Sequence, residues 1–415
     1  TEDIILALQS SHEELYRMRL SNLNSLELKL AQIISAFEIS IEQTVLAALL
    51  DVKHEILKSI LDELEKKNII DPLSLSNAPR INSYNFKKYI YSTISNRVKF
   101  HIVLANSIKK LFADFNTMGL ARQFELANEY EQSVEFFKKE ITKAEEISAY
   151  AYKKSLLEKV LQFNINEKSL ISLKYELVKT LYKLSDFKLA LEKIYKLNFE
   201  KMSDEDKNQM QFIKGTCLIG LRKLEDGKSI LLQLHLSVND IIFKQKILIQ
   251  IAYAEFDLNN FSEAEDYCKK LLEDKNLMDE EKEKCFNLLG LIEIQFRNNP
   301  EQALKNFILA EESYPKRKLT DRIARIKVNI GTIYNILGDK NTASKYWQEA
   351  IKLNQTIGNL EQEALILINY GVFYQGNNDF ERACESWLRS EKIFTALGNQ
   401  NGIGLSLSNL GEVYL

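Results

Sequence analysis

Residues that interrupt helices are scarce in this sequence. Its 415 residues include only four Pro and fourteen Gly, and no Gly precedes Gly119. Proline removes a backbone hydrogen-bond donor and glycine costs conformational entropy, so both are disfavoured inside helices. Their scarcity, together with abundant Leu, Lys, Glu and Ala, predicts an all-α chain, or one that is mainly so.

Cysteine and long apolar runs are also lacking. The four Cys show no Cys-x-x-Cys spacing, which predicts reduced, buried thiols in a cytoplasmic protein. No apolar run approaches the roughly eighteen residues that a membrane span needs, so we expect no membrane partner. The formal charge of −3 gives no global field that would attract nucleic acid. Because the chain begins at Thr1 without Met and stops at Leu415 inside a repeat, we expect a fragment of a longer protein.

The spacings that phosphate loops and catalytic sites require are missing. Gly227-Lys228-Ser229 is preceded by Gly220 with six residues between them, where a phosphate loop needs four. The zinc pattern His-Glu-x-x-His fails at its second histidine after both His12 and His54. No Ser or Cys nucleophile has a base nearby at a recognisable spacing. We therefore predict no enzymatic activity, no metal and no cofactor.

A forty-residue repeat occupies the last part of the chain. Three segments read Asn-apolar-Gly-x-x-Tyr, and each Gly lies forty residues after the last. They begin at Asn329, Asn369 and Asn409. In the two complete copies, an Ala follows the Gly by twelve residues and a Trp by sixteen. Self-similarity at such a period predicts stacked helical hairpins.

Small residues extend the pattern upstream. They stand where two helices must approach closely, at Ser133, Ala190, Gly227, Ala264, Ala303, Ala343 and Ala383. The first interval is 57 residues and the others are 37 to 40, so an irregular or partial repeat is expected over 147–166. From residue 117 to 415 the sequence resembles the tetratricopeptide repeat. The resemblance implies an α-α superhelix of about seven helical hairpins with a truncated last repeat.

Residues 1–112 do not follow the repeat and are expected to form a separate module. Amphipathic patterns predict helices over 26–37, 41–50, 53–68 and 96–112. A polar, Pro-containing stretch from 71 to 85 lies between the third and fourth, and the apolar runs 68–70 and 81–86 beside it are expected to pair as a β-hairpin. Three helices followed by a hairpin is the order of a winged helix.

The same module resembles part of a known family. The segment Leu15-Tyr16-Arg17-Met18-Arg19-Leu20-Ser21-Asn22-Leu23, with 61–70 and 86–105, is similar to the winged-helix module of STAND signalling ATPases. In that family the module follows a nucleotide-binding domain and often precedes tetratricopeptide repeats. The resemblance implies that a nucleotide-binding domain lies upstream in the parent chain.

Three aligned asparagines are the best candidates for a binding site. Asn329, Asn369 and Asn409 hold the same place in the first helix of successive repeats, the helix that lines the concave face of tetratricopeptide arrays. Because Asn offers a donor and an acceptor, such a row can pair with the backbone of an extended peptide. The alternative is that Asn belongs to the repeat consensus and bonds a neighbouring helix. Further candidates for this groove are Arg325, Thr332, Asn335, Gln375 and Glu412.

A local excess of positive charge marks residues 72–112, which contain seven Lys or Arg and no Asp or Glu. We expect four of these cations to contact a phosphate or a neighbouring acidic domain: Lys87, Lys88, Arg97 and Lys99. DNA is not the expected partner, because the third helix carries an acidic face that phosphates would repel.

The sequence therefore predicts a non-catalytic sensor or protein-interaction arm of a STAND-like signalling ATPase. This arm would bind a protein, a peptide or a small ligand on the concave surface of its repeats. One alternative is a stand-alone tetratricopeptide scaffold that recruits an extended peptide. A second is a transcription regulator whose winged helix contacts DNA.

Overall fold

Helices are the regular elements of the structure, a computed structural model that describes residues 2–72, 78–112, 116–147, 149–313 and 321–414. Within these ranges the only β-type pairing is an isolated antiparallel bridge between Ile70 and Ile81. The predicted all-α class is confirmed. The chain divides into two compact units, Thr1–Leu197 and Asn198–Leu415. This division lies inside the repeat region, and the boundary expected between residues 112 and 117 stays a prediction.

Among the described residues, six helices precede the repeats. They are α1 (Glu2–Ser21), α2 (Ser25–Ser35), α3 (Gln43–Leu50), α4 (His54–Lys66), α5 (Tyr84–Ser92) and α6 (Arg97–Leu111). The bridge follows α4, as expected, but Phe86 lies in α5 and not in a strand. Ser83 starts that helix, because its hydroxyl accepts from the backbone N–H of Phe86 (3.4 Å). The winged-helix assignment of this module stays a prediction.

Helical hairpins make up the rest of the described chain. In order they are α7 (Thr117–Leu126) with α8 (Tyr130–Glu146), the single α9 (Tyr150–Val160), α10 (Glu167–Lys183) with α11 (Phe187–Tyr195), α12 (Asp204–Gly220) with α13 (Leu224–Ser237), α14 (Ile241–Asp257) with α15 (Phe261–Glu273), α16 (Asp279–Gln295) with α17 (Pro300–Ser313), α18 (Asp321–Ile336) with α19 (Lys340–Ile357), α20 (Leu360–Gly376) with α21 (Phe380–Leu397), and α22 (Gln400–Tyr414). The seven hairpins agree with the predicted number. The single helix α9 occupies the stretch where an irregular repeat was expected.

Each hairpin turns through one residue in the left-handed conformation. These residues are Asn128, Ser185, Arg222, Asn259, Asn298, Gly338 and Asn378. In the last two hairpins the next residue is an aspartate that caps the second helix. Asp339 accepts from the backbone N–H of Thr342 (3.1 Å), and Asp379 accepts from that of Arg382 (3.2 Å). A left-handed residue ends the first helix and the capping aspartate begins the second, so the chain reverses direction within a few residues and the two helices are antiparallel.

Close contact between the two helices of a hairpin depends on the repeated glycines. A Cβ placed on Gly331 would lie 2.9 Å from the ring of Trp347, and one on Gly371 would lie 2.6 Å from Cε2 of Trp387. Each indole N–H donates to a first-helix carbonyl three residues before the Gly, with distances of 3.2 Å and 3.1 Å. The tryptophans therefore pack inside their own hairpins. Trp347 also reaches Phe373 of the next hairpin, with ring centroids 5.0 Å apart.

The sequence also led to expectations about three further features: the state of the cysteines, membrane-spanning helices and metal-binding groups. All four cysteines are free thiols; Cys217, Cys268 and Cys285 are buried and Cys384 is half-buried. No helix in the described ranges is long and apolar enough to cross a membrane. Nor do the described residues contain a group of three or more His, Cys, Asp or Glu side chains that could hold a metal ion.

Candidate binding surface

The first helices of the last repeats, α18, α20 and α22, carry exposed side chains at equivalent positions. On α20, Leu365, Asn369 and Val372 are spaced by four and three residues, so they share one face of the helix, and all three are exposed. α18 and α22 contact α20 on either side. Positions forty residues apart on these helices therefore form rows that run from one repeat to the next.

We call this surface the first-helix strip. Its exposed members are Arg325, Thr332 and Ile336 on α18, Leu365, Asn369 and Val372 on α20, and Leu405 and Glu412 on α22. Two half-buried asparagines, Asn329 and Asn409, belong to the same register, and Asn335 (exposed) and Gln375 (half-buried) lie at its edge. All eight residues that the sequence indicated for the groove are on or beside the strip.

Sequence reasoning missed the apolar members of the strip. Leu365 is 38% exposed, Val372 48% and Ile336 53%. A usable signal was present, because Leu365 and Val372 stand forty residues after Arg325 and Thr332. The strip therefore alternates exposed apolar and polar groups, a mixture typical of surfaces that bind proteins.

The three aligned asparagines have different surroundings. Asn329 donates through Nδ2 to Oδ1 of Asn287 in the preceding repeat (3.1 Å). Asn369 is exposed, whereas Asn409 donates to the carbonyl of Leu405 in its own helix (3.1 Å). A ladder of asparagines that binds a peptide stays a prediction, and for Asn329 any such role has to coexist with the bond to Asn287.

The bond from Asn329 continues into a chain of polar groups across three first helices. Asn287 donates through Nδ2 to the hydroxyl of Tyr253 (3.2 Å), which donates to the carbonyl of Lys284 (3.3 Å). Burial raises the pKa of Tyr253 to about 12, so this hydroxyl is neutral at physiological pH. These hydrogen bonds connect the helices α14, α16 and α18 beside the first-helix strip.

The basic residues of the front module make mostly local contacts. Lys87 donates to the carbonyl of Phe37 just beyond α2, and burial lowers the pKa of its ammonium group. Lys88 lies over the ring of Tyr84, 4.6 Å from its centroid. These two side chains therefore stabilise the module itself, whatever else they contact.

Arg97 and Lys99 stand at the beginning of α6. Arg97 lies over the ring of Tyr91, 5.1 Å from its centroid. Lys99 is exposed and lines a cleft of about 370 Å³ together with Lys29 of α2. The four predicted cations thus have different local surroundings, and the expected contact with a phosphate or an acidic domain stays a prediction.

A buried histidine joins the front module to the first hairpin. His101 lies 2.7 Å from Oε1 of Gln123 through Nδ1 and 2.7 Å from the hydroxyl of Tyr91 through Nε2. Because Nε2 of Gln123 donates to the carbonyl of Ala36 (3.1 Å), its Oε1 must accept, which places the proton of His101 on Nδ1. Burial lowers the pKa of His101, so the ring is neutral. This network gives His101 a structural role between α6 and α7.

Comparison with known proteins identifies similar folds. No protein-family model matches the chain, and no curated protein matches its sequence. One similar solved structure is a STAND (Signal Transduction ATPase with Numerous Domains) protein with a tetratricopeptide repeat sensor from Pyrococcus horikoshii, with 17% identity over 96% of this chain and a TM-score of 0.45. The chain spans only 54% of the length of that protein.

Two further solved structures are also similar. A Rap protein complexed with Competence and Sporulation Factor has 15% identity over 68% of this chain and 87% of its own, with a TM-score of 0.47. A tetratricopeptide repeat protein from Parabacteroides merdae has 14% identity over 67% of this chain and 98% of its own, with a TM-score of 0.43. The chain itself is built from helical hairpins.

Proposed function

We propose that this chain is a non-catalytic protein-interaction scaffold whose first-helix strip binds an extended segment of a partner protein. The observation that carries the proposal is the exposed row of apolar and polar side chains at repeated positions on α18, α20 and α22. An extended segment exposes a backbone group or a side chain about every 3.3 Å. Side chains repeated from helix to helix can therefore meet several successive residues of such a segment.

Asn369 and Val372 are the central contacts in this proposal. Asn369 is exposed and can donate and accept towards a peptide backbone. Val372 lies one turn further along the same face and offers an exposed apolar surface. Exposed apolar and polar side chains occur together in protein interfaces.

The more specific form of the proposal is that the scaffold is the sensor arm of a STAND-like signalling ATPase in the cytoplasm. It is supported by the resemblance of the segments 15–23, 61–70 and 86–105 to the winged-helix module of that family. A buried network around His101 also connects the front module to the first hairpin, and such a connection is needed if ligand binding is to influence an upstream domain. The reading frame upstream of Thr1 tests this form, because a phosphate loop there would support it and a frame without one would contradict it.

Selection from a displayed library of twelve-residue peptides tests the strip. Peptides selected on the full chain are synthesised, and their affinities are measured by calorimetry on the wild type and on Asn369→Ala/Val372→Asp. The double variant should weaken binding by at least about tenfold, equivalent to roughly 1.4 kcal/mol. Both side chains are exposed, so the thermal unfolding temperature should stay close to that of the wild type.

Thr395→Ala on α21 is the matched control, because Thr395 is exposed on a second helix and its hydroxyl donates to Glu391 of the same helix (2.8 Å). This variant should bind the selected peptides like the wild type. If the double variant kept full affinity for every selected peptide, or if selection on the wild type gave no binding peptide, the strip would not be the binding surface.

A further inference from the structure

A groove lies on the opposite side of α20 from the first-helix strip. It has a volume of about 600 Å³, runs between the second helices α19 and α21, and has Leu367, Tyr370 and Tyr374 of α20 as its floor. At 100° per residue, these three positions project about half a turn away from Asn369 and Val372. The groove and the strip are therefore separate surfaces of α20.

The groove results from a change between two consecutive repeats. In α19, the ring of Tyr346 stacks on Tyr334 of α18, with centroids 5.8 Å apart and planes at 20°. Forty residues later, Tyr374 repeats Tyr334, but Ser386 stands in the place of Tyr346. The small side chain of Ser386 lines the groove together with Tyr374, whereas an aromatic ring stands at that position one repeat earlier.

The charges around the same position change as well. In the earlier repeat, Lys327 forms ion pairs with Glu311 (2.6 Å) and Glu349 (2.8 Å). The residues forty positions after Lys327 and Glu349 are Leu367 and Arg389. An internal ion-pair cluster has thus been replaced by an apolar floor and a cation on the groove wall.

Cations predominate on the walls of the groove. Lys352 of α19 and Arg382 and Arg389 of α21 line it together with a single carboxylate, that of Glu385. Arg389 pairs with Glu363, whereas Lys352 is exposed and has no ion-pair partner among the residues that the structure describes. Lys352 is therefore available to an anionic group of a ligand.

The floor of the groove is held in place by hydrogen bonds. The hydroxyl of Tyr370 accepts from the hydroxyl of Tyr374 (2.8 Å) and from Nε2 of Gln348 (2.9 Å), and it lies 2.7 Å from Oγ of Ser344. Arg382 lies on the ring of Tyr374, 5.7 Å from its centroid. A ring fixed in this way can receive another ring without first losing its own freedom.

We propose that this groove binds a partner peptide that inserts one aromatic side chain over Tyr374, in the space left by Ser386, and directs a neighbouring carboxylate to Lys352. The peptide ring takes the position that Tyr346 occupies in the preceding repeat. The carboxylate gives the unpaired ammonium group its counter-charge. Nothing in this binding mode depends on the first-helix strip.

Capped six-residue peptides that place one tyrosine between two glutamates are the probes. Their binding to the full chain is measured by calorimetry and by saturation-transfer NMR. Replacement of the tyrosine by leucine, or of both glutamates by lysine, should weaken binding by roughly three- to tenfold, because one removes the stacked ring and the other reverses the charge. The tyrosine protons should receive the strongest saturation.

Ser386→Tyr is the decisive variant, because it restores the residue of the preceding repeat and fills the groove from within. It should abolish binding of the probe and leave the unfolding temperature unchanged or raised. Lys352→Glu changes an exposed side chain, so it tests the site even if Ser386→Tyr does not fold, and it should weaken binding by about tenfold. Asn369→Ala/Val372→Asp and Thr395→Ala should bind the probe like the wild type.

Three results would overturn the proposal. The first is a wild type that binds none of the tyrosine-glutamate probes at millimolar concentration. The second is a folded Ser386→Tyr variant, or a Lys352→Glu variant, with wild-type affinity. The third is a free aromatic acid such as phenylpropionate that binds as tightly as the peptide, since the site would then be one for small molecules. None of these outcomes affects the first-helix strip, which has its own variants and peptides.

Discussion

Replacement of Gly371 by alanine should destabilise the last hairpin, which α20 and α21 form. A Cβ at this position would lie 2.6 Å from Cε2 and 2.7 Å from Cδ1 of Trp387, distances that no real Cβ tolerates. Trp387 is fully buried, and its Nε1–H donates to the carbonyl of Ile368 (3.1 Å). The ring therefore cannot move away without losing a buried hydrogen bond.

The size of the effect follows from two opposing terms. Overpacking of a core costs about 1–3 kcal/mol, and the alanine regains roughly 1 kcal/mol from its higher helix propensity. Because the ring of Trp387 is fully buried and hydrogen-bonded, the overpacking cost should lie in the upper part of that range, at about 2–3 kcal/mol, so the expected net loss in the free energy of unfolding is about 1–2 kcal/mol. Gly411 is the matched control, because it belongs to the same sequence motif but no described atom lies within 4 Å of a Cβ placed there. Gly411→Ala should be neutral or slightly stabilising.

Urea denaturation followed by tryptophan fluorescence is the assay. The two tryptophans of the chain, Trp347 and Trp387, both lie in the hairpins formed by α18 to α21, so their emission reports on that region. Substitution of Trp387 by leucine should relieve the clash, and the double variant with Gly371→Ala should lose less stability than the sum of the two single variants by about 1 kcal/mol or more. Wild-type stability for Gly371→Ala, or additivity in the double variant, would refute the packing argument.

Three further predictions concern other parts of the chain. Burial keeps the pKa of His101 below its ordinary value of 6.5, so the folded state binds fewer protons than the unfolded state, and the stability contributed by neutral His101 should be full above pH 6.5 and fall as the pH drops below it. The urea midpoint should therefore change less between about pH 5 and 8 in His101→Asn than in the wild type, and an equal change in both would show that His101 is not the cause. Asn378→Ala should lower the unfolding free energy by about 1 kcal/mol, because alanine disfavours the left-handed conformation, whereas Asn378→Gly should not; equal unfolding temperatures for the two variants would disprove it. Asn329→Ala should cost about 1 kcal/mol through the lost bond to Asn287, and calorimetric melting that shows no loss would count against a structural role.

The positions of the hairpins could be predicted from the sequence because close packing leaves few choices of residue. Gly331 and Gly371 face tryptophan rings, and no larger residue fits between those helices. Likewise, Asn378 stands where a left-handed turn is needed, and glycine, asparagine and aspartate adopt that conformation most readily. Because each such position accepts few residue types, the hairpins can be recognised in a single sequence.

The details of the binding surfaces could not be predicted in the same way. The partner of Asn329 is Asn287, which lies forty-two residues upstream and so falls outside the forty-residue register that aligns the other asparagines. The run expected to form a strand over 81–86 pairs at Ile81 but continues as α5 from Tyr84, because Ser83 caps that helix. The groove depends on the small size of Ser386. Its importance could not be predicted from the sequence, because it follows from the stacking of Tyr346 on Tyr334 in the preceding repeat. The details of these surfaces depend on contacts between helices, which a single sequence does not reveal.

The most direct test of the central claim is a photo-crosslink from the first-helix strip to a bound peptide. A benzophenone amino acid is placed at Val372, and at Thr395 as a control, and the full chain is irradiated with peptides selected on the wild type. Our account predicts crosslinked peptide at position 372, competed by unlabelled peptide, and none at position 395. Crosslinking confined to position 395, or absent at 372 while the peptide remains bound, would contradict the assignment of the strip as the binding surface.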